Sequence, residues 1–428
     1  MASLFELRTI ASISATDGWL QTTCSPCSAR PARLAHTTDC NFATPCTLQK
    51  YLIFRTRLSC AMPFEITYEI DSESSGQLID AIRTEQTIEF PLRLAPQWIQ
   101  DEVVGKVLRV DDISEKRKSV TISYDERVVG EELPQLLNLL WGNISLFPKV
   151  LITAIKLPDS FLTSLKGPRF GVAGLRRKLG VKDRPFVMTA LKPMGLSPSE
   201  LATMASTLVE GGIDIIKDDH NFANQPWALW RERVEIISSA IATANHAFNR
   251  SAIYAPSLNR PTEELFESAR FAKDYGAGGL LVLPGICGLD TMRAIADDDS
   301  IGLPILSHPA LLGSLVMNPT HGVSHHLTFA KLLRLAGADF TIFPHHGGRF
   351  SFSKEECGAV VHHCSSSLGA ISSISPALAG GMTVARVPEI VQEFGQDITL
   401  LIGGALHDGD LLSNTKTFVE SVKSSSAN

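Results

Sequence analysis

From Arg184 onward the chain repeats one unit, a short apolar run of strand character followed by an amphipathic helical stretch. The runs fall at 186–191, 213–217, 252–255, 279–283, 304–306, 340–343, 371–374 and 399–402. Helical patterns such as 198–209 and 261–275 separate nearly all of them. Strands alternating with helices predict a parallel sheet. Eight such units in roughly 240 residues match the size of a (β/α)8 TIM barrel, an α/β fold. A doubly wound open sheet would need a glycine-rich first turn, which is absent here.

Residues 62–178 follow a different pattern, namely strand, helix, strand, strand, helix, strand. Segments 64–70, 107–111, 118–124 and 149–155 have β character, while 75–84 and 131–140 are helical. The charged turn Glu115-Lys116-Arg117-Lys118 joins the middle pair. This predicts a small α+β, ferredoxin-like domain ahead of a barrel at 179–428.

Residues 1–61 lack either periodicity and hold six Lys/Arg against three acids. They suit an organelle transit peptide, although Glu6 and Asp17 are unusual in one, or an upstream extension before a start at Met62. Five of the eight cysteines lie here. Cys24-x-x-Cys27 has no second pair at zinc-finger spacing, so incidental cysteines in a disordered segment are the better reading. The few remaining thiols suit a reducing, cytoplasmic setting.

A net charge of −6 with 20% charged residues leaves no basic footprint for nucleic acid and no polybasic membrane patch. No stretch approaches the roughly 20 apolar residues of a spanning helix. With 44% hydrophobic residues, the chain can bury a sizeable core.

Barrel chemistry sits at the C-terminal ends of the strands. The unusual residues gather there: Lys192-Pro193, Lys217-Asp218-Asp219-His220, His308, His345-His346-Gly347-Gly348-Arg349, Gly380-Gly381 and Gly403-Gly404. Strand alternation points Lys217 and Asp219 to one side, and a strand end can turn His220 inward. A carboxylate suits a hard ion such as Mg²⁺, and His220 adds a nitrogen. Lysine becomes a ligand only when modified, for instance as a carbamate. A solvated loop with a Lys–Asp pair is the competing reading.

Glycine pairs after strands 7 and 8 suit phosphate, because their backbone N–H groups can approach its oxygens unobstructed. Ordinary tight turns are the alternative. Lys192 is placed for proton transfer or anion binding, and Arg349 sits on a loop suited to closing over a substrate. His308 is an acid, a base or a hydrogen-bonded strand end.

The stretch Gly211-Gly212-Ile213-Asp214-Ile215-Ile216-Lys217-Asp218-Asp219-His220-Asn221, then Gln225-Pro226 and Trp230-Arg231-Glu232-Arg233, closely resembles the RuBisCO large-subunit signature. Gly142-Asn143, Leu191-Lys192-Pro193, His308 and the glycine pairs follow in the family's order. The chain is identified as a RuBisCO-like (type IV) member of the large-chain family. The resemblance implies an enzyme in which Asp219 and the carbamate of Lys217 hold Mg²⁺. It implies a phosphate at Gly380, Gly381, Gly403 and Gly404, and a homodimer in which Glu85 and Asn143 reach a neighbour's barrel.

The departures are specific. His220 stands where the family has glutamate, Met194 replaces the second lysine of Lys-Pro-Lys, and Arg349 stands near the carboxylation lysine. Pro309 replaces a phosphate-binding arginine, Ile342 a histidine and Ala379 a substrate-contacting serine. One phosphate site is kept and the second grip is lost, so carbon fixation is not expected. A bisphosphate would leave one dianion poorly neutralised in a desolvated site. The leading expectation is Mg²⁺-dependent enolisation or C–C cleavage, by a lyase, of a phosphorylated sugar acid such as oxo-isoapionate 4-phosphate. The alternatives are a methionine-salvage enolase or isomerase of a phosphorylated thio-sugar, or a non-catalytic binding protein.

Overall fold

The computed structural model describes residues 62–73 and 75–426. The 1–61 segment, with its targeting and Cys24/Cys27 expectations, lies outside them.

Alternating side chains build the first sheet. On β1 (Phe64–Asp71), Phe64, Ile66, Tyr68 and Ile70 point inward while their neighbours face outward. The two-residue turn Glu115-Lys116 joins β2 (Lys106–Ser114) to β3 (Arg117–Tyr124), and β4 (Leu151–Lys156) completes an antiparallel order β4-β1-β3-β2. Helices Ser75–Glu85 and Leu133–Trp141 pack on it through Ile82, Leu136, Leu139 and Leu140. That is the ferredoxin-like topology expected from the sequence.

The second sheet is all parallel. Its strands are β5 (Phe186–Ala190), β6 (Ile215–Lys217), β7 (Ile253–Ala255), β8 (Leu280–Val282), β9 (Ile305–Ser307), β11 (Phe340–Pro344), β12 (Ser375–Ala379) and β13 (Thr399–Ile402). They run in the order β7-β6-β5-β13-β12-β11-β9-β8. The ends close through Leu281, whose N–H donates to Pro256 O at 2.9 Å and whose carbonyl accepts from Leu258 N–H at 2.8 Å. The result is the expected eight-stranded barrel.

Phe186, Met188, Ile215, Leu281, Leu306 and Phe340 belong to one cluster with Leu175 and Leu179 of helix Gly171–Leu179. That helix therefore packs with the barrel strands, and a boundary at 178/179 falls inside it. Buried Asp339 pins its start, accepting from the N–H groups of Phe170 at 2.8 Å and Gly171 at 2.9 Å. A further strand, β10 (Gly322–Val323), leaves the barrel and pairs in parallel with β4, adding a fifth strand to the N-terminal sheet.

One strand differs from expectation. The apolar run 371–374 is not strand 7, which is Ser375–Ala379. The run's backbone is engaged elsewhere: the Arg334 guanidinium donates to Ile371 O at 2.9 Å and Ser372 O at 3.1 Å. Ile371 and Ile374 are buried among the helices, while the strand itself uses small side chains. Burial alone supplied the apolar signal, and it does not separate a strand from the segment leading into one.

Candidate active site

The strand ends fix the site. The three-residue β6 is buried throughout and stops at Lys217, so the following residues emerge at the barrel's C-terminal mouth. Asp218 turns back into the protein. Its carboxylate takes the Tyr254 hydroxyl at 2.7 Å, the Ser257 N–H at 3.0 Å and the Arg233 guanidinium at 3.2 Å. Burial and the adjacent Asp218 charge push the Tyr254 phenol up. A paired, hydrogen-bonded carboxylate of this kind holds the strand end in place.

Lys217 and Asp219 face the other way, as alternation predicts, and line a cleft of about 810 Å³. Lys217 is buried, and its Nζ donates to Asp218 O at 3.0 Å. Desolvation lowers its pKa to about 8, with Lys192 adding to the effect and Asp219 opposing it. Asp219 meets the Lys192 ammonium through Oδ2 and, through Oδ1, His220 Nδ1 at 3.2 Å and the Asn221 N–H at 3.1 Å. Burial raises its pKa, but those partners outweigh burial and hold it well below the usual carboxylate range.

The rings of His220 and His308 stack at 4.6 Å. Burial, then the Lys217 and His220 charges, push the His308 imidazole down to about 2. Its Nδ1 accepts the Ala310 N–H at 3.2 Å, which leaves Nε2–H as the donor of a neutral ring. His308 is thus a hydrogen-bond donor at neutral pH and a poor base.

Gly380 and Gly381 have φ of +88° and +116°, and a Cβ on Gly380 would lie 2.9 Å from the Phe350 ring. Gly403 and Gly404 line the same cleft after β13. The Arg349 loop rests on this turn, with the Arg349 N–H donating to Gly380 O at 2.7 Å. Lys192, Lys217, Asp219, His220, His308, Arg349 and all four glycines therefore share one cleft.

Glu85 and Asn143 do not. They are neighbours in the N-terminal domain, Asn143 Nδ2 donating to Glu85 Oε2 at 3.4 Å on an exposed surface. Gln86 holds that pair's support, accepting the Ile144 N–H at 3.2 Å. Met194 is exposed and outside the cleft lining.

The sequence reading missed the apolar lining. Met317, Phe329, Phe343, Phe352 and Met382 come to the cleft from loops, a strand and the helical turn Leu327–Lys331, with Pro309, Ile342 and Ala379. Nothing local marks them, because apolar residues look like core until the fold brings them to a cleft. The buried Asp218–Arg233–Tyr254 support was also missed, although the signature contains Asp218 and Arg233.

Residues 171–416 match the family model described as the ribulose bisphosphate carboxylase large chain, catalytic domain. The chain belongs to that family. It is a RuBisCO-like protein, similar at 35% identity over 344 residues to ribulose bisphosphate carboxylase-like protein 1 of Rhodopseudomonas palustris (80% of this chain, 92% of that one). It is 37% identical over 346 residues to a 5-methylthioribulose-1-phosphate isomerase of Rhodospirillum rubrum (80% and 90%). A 2,3-diketo-5-methylthiopentyl-1-phosphate enolase of Bacillus pumilus is 32% identical over 322 residues (73% and 79%). The crystal structure of a RuBisCO-like protein from R. palustris superposes with a TM-score of 0.77 at 34% identity, covering 84% of this chain and 97% of that one. With enzymes among these relatives, the RuBisCO-like chain is an enzyme. Among its described residues no helix is long and apolar enough to cross a membrane.

Proposed function

We propose that this RuBisCO-like enzyme moves a proton at the carbon beside the carbonyl of a phosphorylated thio-sugar, as an isomerase or enolase. The observation that carries this reading is the cleft's lining. Four glycines and the cations Lys192, Lys217 and Arg349 share it with Pro309 and Ile342, which stand where the resemblance puts the family's second phosphate grip, and with Phe329 and Phe352, whose rings lie 5.8 Å apart. Apolar residues at those positions suit a methylthio end and disfavour a second dianion or a sugar acid. The relatives named as isomerase and enolase favour this over the C–C cleavage of oxo-isoapionate 4-phosphate expected first from the sequence. The 37% identity to the isomerase, against 32% to the enolase, puts isomerisation first.

A divalent ion fits the site on its donor chemistry once Lys217 is a carbamate. Asp219 then supplies a carboxylate, His220 an imidazole and Lys217 a second anionic oxygen group; an unmodified ammonium would repel the ion. A bound Mg²⁺ supplies positive charge where the substrate's carbonyl oxygen gains negative charge. The chain's own groups do the rest. Lys192, held by Asp219 and lying beside Gly403, exchanges the proton or steadies an anion. His308 donates through Nε2 without protonating the substrate fully, since its imidazolium is inaccessible at neutral pH. Arg349 closes the phosphate end, and the four glycines receive the phosphate. Glu85 and Asn143, half-buried and exposed respectively and outside this chain's cleft lining, complete the cleft of a second subunit in a homodimer.

The test is a substrate panel with purified protein and Mg²⁺, followed by proton NMR in D₂O. 5-Methylthioribulose 1-phosphate or 2,3-diketo-5-methylthiopentyl 1-phosphate should turn over with deuterium uptake at one carbon. Turnover of oxo-isoapionate 4-phosphate alone, or fixation of labelled bicarbonate onto ribulose 1,5-bisphosphate, would reject the reading.

A further inference from the structure

Two residues beyond β11, the chain carries a second histidine pair that the proposed chemistry leaves unused. His346 does not line the cleft. It faces Glu389 and Glu393, which lie one turn apart on the helix Val387–Phe394. One ligand-capable atom from each of the three lies within 4.8 Å of the others. His346 Nε2 and Glu393 Oε2 are 3.9 Å apart, too far to hydrogen-bond. An ion holding each at about 2.0–2.2 Å can bridge such a gap.

Unmet polar groups point the same way. His346 Nδ1 and Glu393 Oε2 are buried without a hydrogen-bond partner. So are both ring nitrogens of His345, whose residue is 1% exposed and whose ring lies 4.0 Å from that of His346. Buried polar atoms left unpaired are destabilising, and they are rare enough to call for a partner. Two cations border the cluster: Lys354 Nζ is 3.4 Å from Glu393 Oε1, and Arg386 Nε is 3.7 Å from Glu389 Oε2. Neither cation hydrogen-bonds Glu393 Oε2. One imidazole with two carboxylates is a donor set for a divalent transition metal rather than for Mg²⁺ or Ca²⁺.

We propose that His346, Glu389 and Glu393 form a binding site for a divalent transition-metal ion, separate from the barrel mouth, that anchors the root of the Arg349 loop. The mechanical link is short. The Arg386 guanidinium donates to His346 O at 2.8 Å and packs against Gly347, two residues before Arg349. Tying β11's exit to the helix after β12 would hold the loop that rests on Gly380.

The experiment is calorimetric titration of full-length Asp219→Asn protein with Zn²⁺, so that the barrel mouth contributes little. About one ion per chain should bind, and adding Glu393→Gln or Glu389→Gln should weaken it at least about tenfold. Glu389 is the more exposed of the two carboxylates, so its variant tests the site without disturbing the fold. Zn²⁺ should also slow tryptic cleavage after Arg349 in Asp219→Asn and not in either double variant. No stoichiometric binding to Asp219→Asn, or equal affinity in the double variants, would overturn the proposal. Neither readout depends on which substrate the enzyme turns over.

Discussion

Two sets of side chains line the barrel mouth: a polar one, Lys192, Lys217, Asp219, His220 and His308, and an apolar one, Pro309, Met317, Phe329, Ile342 and Phe352. The first keeps charges close together where water is scarce, so each group shifts its neighbours' pKa. The second has no charged side chain among those five and can only exclude water and select shape. Under the proposed function, the difference would make the family's proton chemistry and its grip on a second phosphate separable. Even His308 and Pro309, neighbours after β9, fall into different sets, so the separation is made residue by residue and not strand by strand.

The largest effect should come from removing the polar set's centre. Lys217→Ala should lower kcat by about a thousandfold or more on any substrate, read by steady-state kinetics. Near-normal turnover would make the polar set structural and erase the contrast. Next come the adjacent carboxylates. Asp218→Asn should destabilise the fold by about 3–5 kcal/mol, because it leaves Arg233 buried and unpaired. Asp219→Asn should mainly reduce kcat. Denaturant melts and kinetics of the two variants, run side by side, would expose any exchange of these roles.

The apolar set should yield a smaller effect of another kind. Phe352→Ala should raise KM for the methylthio substrate about 10–100-fold with less change in kcat, as lost uniform binding does. A fall in kcat alone would place Phe352 with the polar set. The smallest effect concerns pH. CO₂ adds to a neutral amine, and a Lys217 pKa near 8 lies below the ordinary lysine value. The neutral fraction therefore rises with pH, from about a tenth at pH 7 to about half at pH 8. The rate of activation by CO₂ should rise about fivefold across that unit, followed by ¹³C NMR of the carbamate. A flat profile would separate Lys217 from carbamate chemistry.

Much of this was legible in the chain. Seven of the eight barrel runs overlap the observed strands, because buried parallel strands need continuous apolar residues. The eighth, 371–374, shows the limit: two buried isoleucines can serve the helix layer as well as a strand. Most strand-end residues were equally legible, since parallel strands deliver their C-terminal neighbours to one mouth, but Asp218, His345 and His346 turn away from the cleft lining. Glu85 and Asn143 were paired by family order, and they do meet, although on an exposed surface away from this chain's cleft.

The sequence by itself determined the layered architecture and the inward direction of Lys217 and Asp219. These follow from periodicity and local backbone geometry, which extend over a few residues; the positions of the missing phosphate grips rest on the resemblance to the family. Only the tertiary structure decided which side chains share an environment. It set Asp218 against Arg233 and Tyr254, and it made Lys217 easy to deprotonate by burying it near a second lysine. It also stacked His220 on His308 and drew Phe329 and Phe352 into one cleft lining. Burial and charge act through space between residues far apart in the chain, so no local pattern can encode them.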